Sequence, residues 1–293
     1  MDTTLLSELR ALIARHAEPL VARQLITGLL VAAADRPSPL FAYVVEPVFS
    51  LVAQGAKRIL LREKVFDYAA GEYLISSVDL PVSGHITQAS VDAPFLGLSL
   101  MLKPELIASL LLETGTPRQG EAEVASVAVS NLTEDLLDPI VRLLRLLDRP
   151  DDVRVLAPAI EREIYWRLLN SEQGTLIRQL GLADSRMAQI GRAIRWIREH
   201  YAEAFRVEQL AAFVGMSVTS FHRHFLRVTS FSPLQFQKRI RLQEARSRLQ
   251  SSSQDVATIG FAVGYGSQSQ FNREYRRMFG VSPGRDGRGE RQA

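Results

Sequence analysis

Residues Val207-Glu-Gln-Leu210-Ala211-Ala-Phe-Val214-Gly215-Met216 and Val256-Ala-Thr-Ile259-Gly260-Phe-Ala-Val263-Gly264-Tyr265 share one template 49 residues apart. A chain that writes one pattern twice is committed to building one local structure twice. After each glycine comes an aromatic pair at i, i+4, Phe221/Phe225 and then Phe271/Tyr275, and eight residues past each second aromatic stands the proline of Ser232-Pro233 or Ser282-Pro283. The copies match element by element, with one extra residue in the second turn.

Each copy reads as a helix-turn-helix. Val207, Leu210, Ala211 and Val214 recur at i, i+3, i+4, i+7, the spacing of one buried helical face. Gly215 and Gly264 end the first helices, where the turn needs positive φ. Ala211 is small where two helices cross, and Ser217 is placed to cap the next helix. The aromatic pairs pin the second helices inward. They leave Thr219, Ser220, His222, Arg223 and Arg227 outward in one copy and Gln268, Ser269, Asn272, Arg273 and Arg276 in the other. Arg, Asn and Gln make bidentate contacts to guanine and adenine edges. Glu274 is the sole acid in either second helix. Between the copies, 234–249 reads as one helix of about 24 Å, a spacer suited to two recognition helices about 34 Å apart in successive major grooves.

Charge divides the chain in the same place. Residues 1–185 hold 17 Lys+Arg against 24 Asp+Glu, a net of −7, and residues 186–293 hold 18 against 8, a net of +10. All but Lys238 of those 18 cations are Arg, the residue whose planar fork suits phosphates and guanine. A basic domain carrying two helix-turn-helix copies points to nucleic acid. Cysteine is absent, which excludes disulfides, thiolate metal sites and a cysteine nucleophile or methyl acceptor. The longest nearly apolar run, 25–34, is too short to span a bilayer, and the first residues, with Asp2 and Glu8, lack a secretory head. A cytoplasmic protein with no membrane partner is expected.

The tandem motif, with Arg241 and Ala245 in the connecting helix and the closing run Gly264-Tyr265 … Gln270-Phe271 … Arg273-Glu274-Tyr275-Arg276-Arg277-Met-Phe279-Gly280-Val-Ser282-Pro283, resembles the AraC/XylS family of bacterial transcription regulators over about residues 187–285. The resemblance implies recognition helices at about 217–228 and 267–278, with base-reading positions on Thr219, His222, Arg223, Gln268, Ser269, Asn272 and Arg273. It also implies RNA polymerase as a partner and a lean toward activation. Two residues depart from the family pattern: Gly260 replaces the usual Ala, which is expected to loosen its helix by up to about 1 kcal/mol. Ser230 replaces a usual Gly, which is expected to alter the bend before Ser232-Pro233.

From about Phe41 to Leu102 the sequence is strand-like, with 43–45, 48–52, 58–61 and 73–75 separated by turn residues, a spacing typical of a sandwich or barrel. The stretches 47–57, 68–74 and 78–82 resemble the cupin-like N-terminal region of a subset of AraC-type regulators, which implies a small barrel that binds an effector. Residues 1–185 contain only His16 and His85, with no His-x-His pair, so no metal and no cofactor is expected. Tyr73 and His85 are the candidate effector contacts, each set against a plain strand role. Glu72 and Asp79 read as solvated carboxylates. Helices at 134–148 and 153–170 carry broad apolar faces that either close the barrel's mouth or form a homodimer interface.

The expected architecture is α+β in two domains: a cupin-like β-barrel with flanking helices over 1–170, a linker at 171–186, and an all-α DNA-binding domain over 187–293 with helix-turn-helix motifs at about 207–228 and 256–278. The expected function is a sequence-specific regulator of double-stranded DNA that responds to a small-molecule effector and is not an enzyme. The alternatives are a ligand-independent architectural DNA binder and a cupin-type enzyme fused to a regulatory helical domain.

Overall fold

The computed structural model describes residues 3–17, 23–115, 125–252 and 254–289, so Asp2 lies outside it. The chain divides into two compact units, residues 1–41 with 45–188, and residues 42–44 with 189–293.

A helix, α1 (Thr3–His16), precedes nine strands: β1 (Arg23–Ile26), β2 (Leu29–Ala34), β3 (Phe41–Val45), β4 (Val48–Gln54), β5 (Ala56–Leu61), β6 (Lys64–Ala69), β7 (Glu72–Ser76), β8 (Leu80–Gln88) and β9 (Phe95–Met101), all in the first unit except the middle of β3, residues 42–44, which belongs to the second. Helix α2 (Pro104–Glu113), strand β10 (Val127–Asn131) and helices α3 (Glu134–Arg145), α4 (Pro150–Leu169) and α5 (Gly174–Gly181) follow. Within the first unit one sheet runs β1-β2-β9-β4-β7-β10 and the other β8-β5-β6. Ser50 on β4 meets the Tyr68 hydroxyl on β6 at 3.3 Å, and Ser99 on β9 donates to Ser50 at 3.1 Å. Their faces therefore look into the space between the sheets. Because side chains alternate along a strand, Phe49, Leu51, Tyr73, Ile75, Leu98 and Leu100 occupy the opposite face, where all are buried.

That second face is covered by helix. α1 packs on β2, β4 and β9 and brings Leu9, Leu12 and Ile13 into the core, each worth roughly 1.5–3 kcal/mol of burial. α3 lies against both α1 and α4, which accounts for its broad apolar face of Leu136, Leu137, Ile140, Val141, Leu143 and Leu144 within a single chain. Helix α3 stops at Arg145 and a 3-10 turn carries the chain to Asp148, while α4 starts at Pro150. On α4, Leu156 is 44% exposed and its neighbour Val155 73%. The stretch read as a linker holds α5, whose Leu176, Ile177 and Leu180 are buried and which packs on α2 and α4. Asp79 is buried, not solvated, because the whole turn from Ser76 to Leu80 is enclosed.

The second unit is helical: α6 (Arg186–Glu199), α7 (Val207–Phe213), α8 (Val218–Thr229), α9 (Pro233–Ser251), α10 (Val256–Ala262), α11 (Gln268–Phe279) and α12 (Pro283–Gly289). α7–α8 and α10–α11 are the two helix-turn-helix copies. α9 joins them, opened by a full capping box in which Ser232 and Gln235 satisfy each other's backbone N–H groups.

Candidate nucleic-acid interface

The two copies are built by the same local rules. α7 buries Leu210 and Ala211, α10 buries Ile259 and Gly260, and each helix ends in a paired closure. In the first, Gly215 N–H donates to Ala212 O at 3.0 Å and Met216 N–H to Ala211 O at 2.9 Å. In the second, Gly264 N–H donates to Phe261 O at 2.9 Å and Tyr265 N–H to Gly260 O at 3.1 Å. Both glycines hold the left-handed conformation, at φ +72° and +91°, that this closure requires. Ser217 and Ser267 then cap α8 and α11 by accepting from the N–H of Ser220 and Gln270. Gly266 is the extra residue of the second turn.

The aromatic pairs are fully enclosed. Phe221 and Phe225 stand 5.4 Å apart between ring centres and Phe271 and Tyr275 5.5 Å, with none of the four exposed. With one face of each helix fixed inward, the opposite face is presented. Thr219, His222, Arg223 and Arg227 are exposed, as are Gln268, Ser269, Asn272, Arg273 and Arg276, while Ser220 is half-buried. Superposing the copies on their first aromatics pairs Thr219 with Ser269, His222 with Asn272, Arg223 with Arg273 and Leu226 with Arg276. Val218 (36% exposed), Leu226 (50%), Gln270 and Arg277 also belong to the exposed faces but were absent from the sequence-derived set.

Both departures from the family pattern have a structural outcome. Ser230 ends α8 at φ +64°, ψ +11°, and Gly280 ends α11 at φ +76°, ψ −13°, so the bend is shared and Ser230 carries left-handed strain instead. Gly260 lies against the Phe271 ring: a Cβ there meets Cδ1 at 3.0 Å. The missing methyl is used for close helix crossing.

The cations sort by face. Behind the helices, Lys238 pairs with Glu274 at 2.9 Å, Arg246 with Asp286 at 2.9 Å and Arg248 with Glu244 at 2.9 Å. Among the described residues, Arg273, Arg276 and Arg277 have no ion-pair partner. Glu274 turns inward, where burial would raise its pKa but hydrogen bonds from Lys238, Tyr265 and Gln270 prevail and hold it below the usual carboxylate range. The presented face of α11 therefore carries no acid. Gln268, Asn272, Arg273, Arg276 and Arg277, with Ser282 and Gly284 at the start of α12, border a groove of about 760 Å³. Arg241 donates to the carbonyls of Tyr201, Ala202, Glu203 and Gly264, tying the end of α6 to the turn of the second copy, and its burial lowers its pKa.

In the first unit, Tyr73 is buried against Phe49 on the helix-covered face, with ring centres 5.0 Å apart, and burial raises its pKa. His85 lies on the outer face of the second sheet, in one cross-strand row with Arg58 and Asp67. Neither faces the space between the sheets. The groups that do include Ser50, Tyr68 and Ser99. His16 meets Asp148 at 3.1 Å. Among the described residues no group of three or more His, Cys, Asp or Glu side chains is placed to hold a metal ion. No helix is long and apolar enough to cross a membrane among those residues.

Residues 25–176 match the family model of the AraC-type transcriptional regulator N-terminus, and residues 210–288 match a helix-turn-helix domain. The chain is 32% identical over 111 residues to the HTH-type transcriptional activator RhaS of Klebsiella pneumoniae (strain 342), covering 37% of this chain and 40% of that protein. It is 31% identical over 156 residues to RhaS of Salmonella schwarzengrund (strain CVM19633), covering 52% and 54%. It thus spans about half the length of the curated relatives it matches. Among solved structures, ToxT from Vibrio cholerae aligns with a TM-score of 0.56 at 10% identity, over 88% of this chain and 97% of that one. Unsaturated fatty acid bound ToxT from strain SCE256 aligns with a TM-score of 0.54 at 11% identity, over 89% and 95%. These likenesses show the fold.

Proposed function

The chain belongs to the AraC-type transcriptional regulators, and from that premise we propose that it is a sequence-specific, double-stranded-DNA-binding activator whose N-terminal unit responds to a small molecule. The carrying observation is the pair of exposed polar faces on α8 and α11, raised on duplicated scaffolds and free of outward carboxylates. Arg223, Arg273 and Asn272 are the proposed base readers, with Thr219, Ser220, His222, Gln268 and Ser269 beside them. Arg227 and Arg276 sit toward the phosphates. Exposed guanidiniums without intramolecular partners, such as Arg273 and Arg276, lose no ion pair when they engage DNA, so their charge is fully available for counterion release and bidentate hydrogen bonds.

The activator role rests on the relatives named as activators, and contact with RNA polymerase rests on the family. The effector's proposed seat is the space between the two sheets, where Ser50, Ser99 and Tyr68 supply hydroxyls. An effector acts there only by binding two states of the linked units unequally. The barrel is read as a binding module and not a catalyst, the protein as a homodimer, and the cytoplasm as its place of action.

The test is a titration of full-length protein against its selected duplex and a scrambled duplex at two salt concentrations. A specific reader holds a ratio of about 10³ or more between them at physiological salt. A ratio near one with a steep salt slope supports the architectural alternative and contradicts this one.

A further inference from the structure

The reading helix of the first copy carries apolar side chains that its twin lacks. On α8, Thr219, His222, Arg223 and Leu226 fall at i, i+3, i+4 and i+7, one continuous face. Leu226 closes that face at 50% exposure, and Val218, 36% exposed, opens the helix beside Thr219. At the matching places α11 has Arg276 and Gln268. The buried stripe of α8 is complete without these two, since Phe221, Phe225, Val228 and Thr229 already make it. Leu226 and Val218 are therefore apolar groups left on an otherwise polar, basic face.

A helix seated in the major groove meets hydrogen-bonding base edges, phosphates and one apolar group, the C5-methyl of thymine. Phosphates are a poor neighbour for a leucine. We propose that Leu226 and Val218 are specificity residues that read thymine methyls, so that the two copies divide the operator: α8 selects a thymine-bearing box and α11, through Asn272, Arg273 and Arg276, a purine-edge and phosphate box. This rests on the proposal that both helices enter DNA. Thr219, whose side chain ends in a methyl beside a hydroxyl, belongs to the same thymine-reading set.

The test replaces thymine with uracil, one position at a time, in the duplex selected by full-length protein. Each replacement removes one methyl and leaves every base edge intact. Affinity is expected to fall about fourfold at one or two positions of one box only, the worth of burying one methyl group. With Leu226→Ala, the sensitivity at its own position is expected to vanish, and with Val218→Ala that at a neighbouring position. Two outcomes overturn the inference while leaving the DNA reading intact: equal uracil sensitivity in wild type and Leu226→Ala, or none anywhere in a duplex bound specifically. Unchanged DNA affinity with lost activation in Leu226→Ala also overturns it and assigns the residue to a protein partner. A random pool that yields no enriched sequence removes the DNA reading itself and the inference with it.

Discussion

The two helix-turn-helix copies share a skeleton but are fastened in different ways. In the first, α8 meets α9 through hydrocarbon, Phe225 standing edge-on to Phe236 with ring centres 5.6 Å apart. In the second, α11 adds a polar clamp, with Glu274 joined to Lys238 of α9 and to Tyr265 of its own turn. Arg241 fastens that turn from the other side. In both copies buried hydrogen bonds add to the packing, but in the first the neutral Thr229 hydroxyl makes them, donating to the carbonyls of Phe225 and Phe231, and in the second the Glu274 carboxylate does, accepting from Lys238 and Tyr265. The second copy is therefore the more sensitive to acid.

The sharpest way to break this comparison is at the two turn glycines. At Gly264 a Cβ would stand 2.2 Å from Ala202 O, whereas at Gly215 the nearest atom is the flexible Gln189 Nε2 at 3.8 Å. Gly264→Ala is expected to cost about 3 kcal/mol or more through left-handed strain plus backbone collision, and Gly215→Ala about 1 kcal/mol through strain alone. Urea denaturation of both variants measures the difference, and equal losses would dissolve the distinction. On the DNA side, Arg223→Ala and Arg273→Ala are each expected to cost about 1–3 kcal/mol of binding and to relax preference at one operator position. A loss equal on every sequence would restrict that arginine to phosphate.

The clamp itself is tested by Glu274→Gln, expected to destabilise by about 1.5 kcal/mol, the worth of a hydrogen bond to a charged group. Its counterpart in the first copy, His224→Gln, is expected to change stability by less than about 0.5 kcal/mol. Because the folded protein holds Glu274 below its ordinary value of 4.5, its contribution is present above that pH and is lost as pH falls through the lower folded value. Wild type should accordingly lose more stability than Glu274→Gln between about pH 5 and pH 3. One substitution is expected to be a gain: Ser230→Gly should stabilise by about 1 kcal/mol by releasing the left-handed strain that Gly280 avoids in the second copy. An unchanged denaturation midpoint would mean that Ser230 holds its conformation without cost.

The helical unit was largely legible in the sequence because its punctuation is local. Gly215, Gly264, Ser217, Ser232-Pro233 and the aromatic pairs each act within one turn of helix, and they place α7, α8, α9, α10 and α11 within about two residues. The first unit depends on distant contacts. α1, with no acid in its first turn, and the eight-residue α5 are fixed by what they bury, which a local pattern does not carry. Four of the five residues of β7 are buried, so the alternation that separates the two faces of a strand is erased and the facing of Tyr73 was unreadable. Val218 and Leu226 were missed for the opposite reason. Apolar character alone points to the core, whereas Leu226 falls seven residues after Thr219, on the same exposed face of α8.

The central claim, that both helices read bases and do so side by side along one duplex, is tested most directly by selecting bound sequences from a random duplex pool with full-length protein at near-physiological salt. The account predicts a motif of two short boxes about one helical turn apart, each lost separately in Arg223→Ala and Arg273→Ala. A single box that survives either substitution, or no enrichment at all, would contradict it.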